Sequence, residues 1–298
     1  MTTEMTVEAT GEKRMTMRRP PFAFTRSKIL HWNAARPEFS QIVNAASLAM
    51  PYLEPYLIKT MREARPLIAD PQLVRELDLY CAQESAHFRQ HRKYNDELKE
   101  ETAAPLAEVE ALLKDDYERM GNERSLCFNL AYAEGFESLA LAIGHMLIDD
   151  RDHFFGHADS AVTSLVLWHF AEEIEHKNVA FDVFAHVSGN YFWRIAGLAY
   201  ATTHIFRRTR TGYQALLKAD GLWRNWRSRV ALAFLLARIF RKLIPHLLRI
   251  LRPGYHPGKL ADPAWMTGWV ALHLTDEEAP ARIDTSRLDE PAPVALAS

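Results

Sequence analysis

The feature that most constrains this fold is a set of acidic and imidazole side chains within an apolar helical segment, WHFAEEIEHKNVAFDV (residues 168–183). His169, Glu173 and His176 are separated by four and three residues, so they lie along one stripe of a helix. An isolated buried carboxylate costs several kcal/mol unless something pairs with it. A fold that buries this stripe must therefore provide cations beside it.

The spacing Glu-x-x-His occurs twice, at Glu84/His87 and at Glu173/His176. Side chains three residues apart share a helix face, so each pair can present a carboxylate and an imidazole to one point. The spacing alone is weak evidence, because the chain has 13 histidines and many glutamates. Both pairs, however, lie within long helices that we expect to be at least half buried. They are therefore candidates for a buried site and not for two solvated helix faces.

Two further carboxylates lie one predicted helix before each pair, Glu54 in AMPYLEPYLI and Glu137 in GFESLALAIG. Glu134, one turn before Glu137, is the competing candidate at that position, and both can contribute. One Glu from each of two helices, with Glu-x-x-His from each of two others, is the ligand set of di-iron and di-manganese carboxylate proteins. Carboxylate and imidazole ligands favour two iron ions, with manganese as the alternative.

The histidine stripe adds His169 as a candidate seventh ligand, and His91, one turn after His87, is a further candidate that we place around the site. Gln83 and Glu172 precede the two pairs and can cross the bundle to accept the free N–H of the opposite histidine. Glu172 to His87 is the favoured contact, because a carboxylate is the stronger acceptor. The predicted ligands are Glu54, Glu84, His87, Glu137, His169, Glu173 and His176.

The periodicity of apolar residues is helical throughout, and strand signals are scarce, so we predict an all-α protein. Pro51 and Pro55 predict a kink in the first helix, and Asp70-Pro71 is a helix-start signal. A long connection with an acidic crossing helix (106–120) separates the second and third helices, which indicates a ferritin-like four-helix bundle with additional C-terminal helices. The predicted bundle helices cover 38–65, 71–100, 122–148 and 159–188.

Four segments follow from composition. We predict a disordered leader (1–24), a metal-binding bundle (25–190), a basic aromatic helical extension packed on the bundle (191–260) and a partly disordered C-terminal tail (261–298). The N-terminus lacks the apolar core of a signal peptide, and no apolar run approaches the roughly 18 residues of a membrane span. Cys81 and Cys127 show no metal or disulfide spacing. These features favour a cytoplasmic protein.

Charge is distributed unevenly along the chain, although the net charge is only −2. Residues 186–260 carry 14 Lys and Arg against one acid, whereas residues 1–185 carry 20 against 30. The basic block can pack on the acidic bundle, which we favour, or contact an anionic membrane surface peripherally. We expect no nucleic-acid partner, because no recognised module is present. A homodimer through the aromatic block is a further hypothesis.

The resemblance to known families rests on QESAHFRQHRKYN, FESLA and WHFAEEIEHKNVAFDV, with MPYLEPY upstream. Over roughly residues 40–260 the chain resembles a bacterial family of predicted metal-dependent hydrolases. It differs at Leu53, where that family usually has Gly. The ligand order with an added histidine also resembles the di-iron arylamine N-oxygenases, which are ferritin-like, and this resemblance implies the seven ligands named above.

Three functions remain open. The first is an O2-dependent di-iron oxidase or oxygenase that acts on a hydrophobic or aromatic small molecule and takes electrons from an external donor such as a reductase or ferredoxin. The alternative is a metal-dependent hydrolase that uses a metal-bound hydroxide. The third is a non-enzymatic iron-binding protein. We rank the oxygenase first, because seven ligands with three histidines exceed what iron storage typically uses.

Overall fold

The fold, taken from a computed structural model that describes residues 15–294, consists of helices and their connections. The predicted all-α class is confirmed. Within residues 15–294 the β-type pairing is limited to an isolated bridge between Ile283 and Pro293. The helices are α1 (Arg26–Ile29), α2 (Pro37–Ser47), α3 (Met50–Ala64), α4 (Pro71–Glu100), α5 (Leu106–Glu123), α6 (Leu126–Asp149), α7 (Arg151–Phe155), α8 (Ser160–Glu175), α9 (Val179–Val187), α10 (Tyr191–Ala219), α11 (Trp226–Ile250) and α12 (Trp265–Thr275).

The helices that carry the candidate ligands begin at capping residues. Asp70 accepts a hydrogen bond from the backbone N–H of Gln72 at the start of α4, which confirms the predicted 71–100 helix. Ser125 caps α6 and Asp159 caps α8 in the same way. Each cap satisfies a backbone donor that the first helical turn leaves free, so these starts follow from local sequence.

The predicted first helix, 38–65, is interrupted as its prolines indicate. The chain leaves α2 at Ser47 and starts α3 at Met50, with Pro51 in the first turn of α3. Pro55 lies within α3 and cannot donate to the carbonyl of Pro51. The guanidinium of Arg92 on α4 donates to that carbonyl instead, at 3.2 Å. The helix therefore continues past Pro55 because a neighbouring side chain replaces the missing donor.

The prediction of a single fourth helix over 159–188 is wrong in one respect, because the structure divides this segment into two helices. α8 ends at Glu175 with His176 as its C-cap, and α9 begins at Val179. A turn closed by the Val179 N–H and the His176 carbonyl joins them at 2.9 Å. His176 therefore lies just after the helical stripe.

Helices α3, α4, α6 and α8 surround the centre of the molecule, and α9 extends α8 across the same bundle. α10 packs along α6 and α2, and α11 covers α6 and α2 from outside. The backbones of α6 and α10 approach closely at Gly135 and Gly197. A Cβ atom at Gly197 would overlap the carbonyl of Ala131. This contact fixes the basic extension directly on the bundle.

Ion pairs also connect the basic extension to acidic parts of the bundle. Arg208 on α10 pairs with Asp116 on α5 at 2.5 Å. Arg238 and Lys242 on α11 pair with Asp150 at 2.7 and 3.2 Å. Part of the positive charge is therefore neutralised within the molecule.

Two segments expected to be disordered are instead packed within the described range. Residues 15–24 of the predicted leader run along the bundle, where Arg18 and Phe22 are buried. The tail forms α12, and Ile283 then exchanges hydrogen bonds with Ser160 and Ser164 of α8. Long-range apolar burial and side-chain donors, which composition does not reveal, hold both segments. Residues 1–14 and 295–298 lie outside the described range.

One apolar run does reach membrane-span length, contrary to the prediction. α6 has 24 residues and is apolar enough to cross a bilayer by length and composition. In the described structure 78% of its most apolar window is buried. The physical reason for its composition is its central position, since a helix covered on all sides is apolar all round. Within the described structure it is a core helix.

Candidate metal centre

The bundle brings the seven predicted ligands together in two adjacent groups. Within each group one oxygen or nitrogen atom from every residue lies within 4.8 Å of the others. All seven residues are buried, and none is more than 5% exposed. The first group is Glu54, His87 and His169, and the second is Glu84, Glu137, Glu173 and His176.

Glu173 and Glu84 belong to the second group and also approach histidines of the first. Glu173 Oε2 is 3.3 Å from His176 Nε2, and Glu173 Oε1 is 3.5 Å from His169 Nε2 and 3.7 Å from His87 Nδ1. Glu84 Oε1 is 3.4 Å from His176 Nε2 and 3.7 Å from His87 Nδ1. Both carboxylates can therefore serve both groups, as bridging carboxylates do in two-metal sites.

Seven of the polar atoms that face this centre lack hydrogen-bond partners. Buried atoms without a hydrogen bond include both oxygens of Glu54 and of Glu84, Glu173 Oε2, His87 Nδ1 and His176 Nε2. A buried polar atom without a partner costs roughly 1–3 kcal/mol. These seven atoms converge on one place, and all of them are oxygen or imidazole nitrogen. This donor set fits a pair of iron, manganese or similar divalent ions.

The acidic groups repel one another in the metal-free protein. Burial, reinforced by the charge of Glu84, raises the pKa of Glu54 well above its usual range. Burial and the nearby Glu137 raise the pKa of Glu173 to about 8. Burial opposes ionisation of His176, but Glu173 and Glu137 raise its pKa well above the usual range. Protons therefore take the place of cations at this centre when no metal is bound.

His87 is oriented by the contact that the sequence predicted. Its Nε2 atom lies 3.0 Å from Glu172 Oε2. The other oxygen of Glu172 accepts from Trp168 Nε1 at 3.0 Å and from Arg18 Nη1 at 3.2 Å. A carboxylate held by two donors is an acceptor for the imidazole, so His87 Nε2 donates to Glu172. The Nδ1 atom, which has no hydrogen-bond partner, then faces the centre.

His176 is oriented from the opposite side by Gln83, again as predicted. Gln83 Nε2 donates to the Thr16 carbonyl at 3.0 Å, which fixes the orientation of the amide. Gln83 Oε1 then lies 3.2 Å from His176 Nδ1 and accepts its proton. His176 Nε2 then faces the centre without a hydrogen-bond partner. In addition, the Tyr80 hydroxyl donates to Glu137 Oε1 at 2.7 Å.

His91 lies outside the two groups and orients His169 instead. Asn95 Nδ2 donates to the Ser47 carbonyl, so Asn95 Oδ1 accepts from the Ser47 hydroxyl at 2.6 Å. That hydroxyl accepts from His91 Nδ1 at 2.8 Å, which leaves His91 Nε2 to accept from His169 Nδ1 at 3.2 Å. The chain of hydrogen bonds leaves His169 Nε2 unprotonated toward Glu173.

Glu134, the competing candidate, is also outside the two groups. Ser138 donates to its Oε1 at 3.0 Å, and Arg194 of α10 approaches that oxygen at 3.7 Å. Burial raises the pKa of Glu134 to about 7. Its partners lie between α6 and α10, so it contributes to their packing.

Arg18 is the residue around the centre that sequence reasoning missed, because it was assigned to a disordered leader. It also binds Glu175 with two hydrogen bonds of 2.7 and 2.6 Å and stacks on Trp269 of α12. The signal that could have found it is the apolar PPFAF sequence that follows, since aromatic residues after a polar leader indicate that the chain is packed again.

A cavity of about 530 Å³ adjoins the centre. It lies between α2, α6, α10 and α11, and its wall is largely apolar. Ser47, His91 and His169 line its inner end. A small molecule in this cavity would contact the His169 side of the centre.

Comparison with known proteins gives one family match. The model of a family described as "Predicted metal-dependent hydrolase" matches residues 16–261, more than four fifths of the chain. The match includes Arg18 and the basic helices as well as the bundle. No curated protein and no solved structure shows a significant match.

Proposed function

Because the chain belongs to this family of predicted metal-dependent hydrolases, we propose that it is an enzyme whose reaction takes place at a two-metal centre in the bundle. The observation that carries the proposal is the convergence of seven buried carboxylate and histidine residues, five of which have oxygen or nitrogen atoms without a hydrogen-bond partner. The ligands would be Glu54, Glu84, His87, Glu137, His169, Glu173 and His176.

Hydrolysis is the reaction class that the family supports, although sequence analysis ranked it second. Two divalent ions would supply Lewis acidity there, lowering the pKa of a water molecule and polarising a scissile group. The protein itself orients the histidines through Glu172, Gln83 and His91. The apolar cavity would hold a hydrophobic substrate and exclude bulk water from the centre.

O2-dependent oxidation is the second candidate, and the donor set is the specific observation in its favour. Three histidines and four carboxylates with no thiolate form a site suited to iron. This candidate requires a ferritin-like di-iron site that holds iron in preference to manganese. It also requires an external electron donor. The adjoining apolar cavity suits an aromatic or aliphatic substrate equally well in both cases.

Metal analysis of the purified protein tests the proposal. We expect about two equivalents of metal per chain in the unmodified protein and loss of both in Glu173→Ala. Glu110→Ala is the matched control, because Glu110 is a buried carboxylate paired with Lys99 far from the centre. Equal metal content in all three proteins would disprove the two-metal centre.

The same preparations separate the two reaction classes. Turnover of ester or phosphoester substrates that depends on the bound metal and needs no reductant supports hydrolysis. O2 consumption that requires a reductant and disappears in Glu173→Ala supports oxidation. Bound metal with neither activity, over a broad panel of substrates, would leave the non-enzymatic iron-binding hypothesis.

A further inference from the structure

The cavity beside the centre has chemically different ends. Its inner end is formed by His91 and His169. Its middle is apolar, with Phe136 and Ile143 of α6 and Leu243 of α11 in the wall. The lining positions of α6 extend from residue 136 to 147, a rise of roughly 16 Å at the helical repeat. The cavity therefore suits an extended aliphatic chain.

The outer end is positively charged. The charged side chains in the described lining of this cavity, apart from its histidines, are Arg210 of α10 and Arg229 of α11. Both are exposed, and neither forms an ion pair within the described part of the chain. The guanidinium of Arg229 stacks on the ring of Trp223 at 3.6 Å, which restricts its position at the mouth. Other arginines of the same helices, such as Arg208, are neutralised by acids.

We propose that this cavity binds an aliphatic carboxylate, with the carboxylate at Arg210 and Arg229 and the far end of the chain at His169. Burial of the chain favours binding because the wall is apolar. Guanidinium groups match a carboxylate in charge and in planar hydrogen-bond geometry. The inference deepens the proposed function, since it places the far end of such a molecule beside the metal centre.

Equilibrium binding of decanoate and of decan-1-ol tests the head-group assignment. In the double variant R210E/R229E we expect decanoate to bind at least about tenfold more weakly, whereas decan-1-ol changes less than about twofold. Arg207→Glu is the matched control, because Arg207 is an exposed arginine of α10 outside the cavity lining. Equal weakening in the control, or equal loss of both ligands, would overturn the role of the two arginines.

Filling the cavity tests the position of the chain. Ala46→Phe and Ile143→Trp each place a larger side chain in the wall, and circular dichroism melts show which of them folds. We expect either folded variant to weaken decanoate and decan-1-ol together. Undiminished binding in a folded variant would overturn the cavity assignment.

The metal-depleted variant Glu84→Ala separates this inference from the proposed function. Binding does not need the metals, so decanoate should still bind to this variant in the arginine-dependent manner. If the unmodified protein contains no metal but binds decanoate, the metal centre alone is disproved. Absence of binding in the metal-loaded protein would disprove only the carboxylate site.

Discussion

Removing the metals should make the stability of this protein fall as pH rises above neutrality. The reason is that protons compensate the buried ligands when cations do not. In the metal-free protein the pKa of Glu173 is raised by burial and by Glu137 to about 8, from 4.5. Burial opposes protonation of His87, but its hydrogen bond to the Glu172 carboxylate and the nearby charge of Glu84 raise the pKa of His87 to about 10, from 6.5. Both groups keep a proton in the folded state that the unfolded chain releases.

The sign follows from linkage. A group whose pKa is raised on folding stabilises the fold fully below its unfolded pKa, and this stabilisation is lost as pH rises through the folded value. For Glu173 the window is pH 4.5–8, and for His87 it is pH 6.5–10. Burial lowers the pKa of His91 to about 3 and that of His169 well below its usual range, which acts in the opposite sense below pH 6.5. Between pH 6.5 and 8.5 the effect of Glu173 and His87 is therefore free of this opposing contribution.

The magnitude can be worked from these two groups. For each proton that the folded state binds and the unfolded state does not, the free energy of unfolding falls by about 1.4 kcal/mol per pH unit. With Glu173 protonated up to about pH 8 and His87 throughout, these two groups alone lose roughly 4 kcal/mol between pH 6.5 and 8.5. Glu54 and His176, whose pKa values are also raised, act in the same direction. For a chain of this size that corresponds to a fall in Tm on the order of 10 °C. The metal-loaded protein should show little or no fall, because its ligands are already deprotonated.

Thermal melts of the metal-loaded and chelator-dialysed protein at pH 6.5, 7.5 and 8.5 provide the assay. Glu173→Gln removes one titrating group, so the metal-free variant should lose less stability with pH than the unmodified metal-free protein. Glu110→Gln, a buried carboxylate away from the centre, should leave the slope unchanged. Parallel pH profiles for metal-loaded and metal-free protein would show that protons do not compensate the buried ligands.

Three other predictions concern residues around the centre and the packing that supports it. Glu137→Ala should lose bound metal while Glu134→Ala retains it, because the partners of Glu134 lie between α6 and α10; elemental analysis of both variants decides this. His91→Phe should weaken metal affinity by about 10- to 100-fold through misorientation of an imidazole ligand, measured by competition with a chelator, and unchanged affinity would contradict the hydrogen-bond chain. Gly197→Ala should destabilise the fold by about 3 kcal/mol or more, although the same change in an open helix stabilises by roughly 0.5–1 kcal/mol; a denaturant melt shows which sign holds.

Local sequence is sufficient to predict most of the helices and the short-range geometry of the candidate centre. The periodicity and Asp70-Pro71 predicted α4 correctly from end to end. The spacing of Glu84 and His87 placed a carboxylate and an imidazole on one face. Such features depend on residues within one or two helical turns, where 3.6 residues per turn fixes the geometry. Even the contact of Glu172 with His87 could be predicted, since its residues flank the two motifs.

The packing of the helices, in contrast, sets which side chains support those motifs and which cavity lies beside them. Arg18 meets Glu172 across 154 positions of the chain, and His91 reaches Ser47 between helices. The cavity toward His169 exists because α10 and α11 pack over α6. These relations depend on how helices approach one another, which is decided by the complementary shapes of entire buried faces. No local spacing in a sequence encodes such a fit.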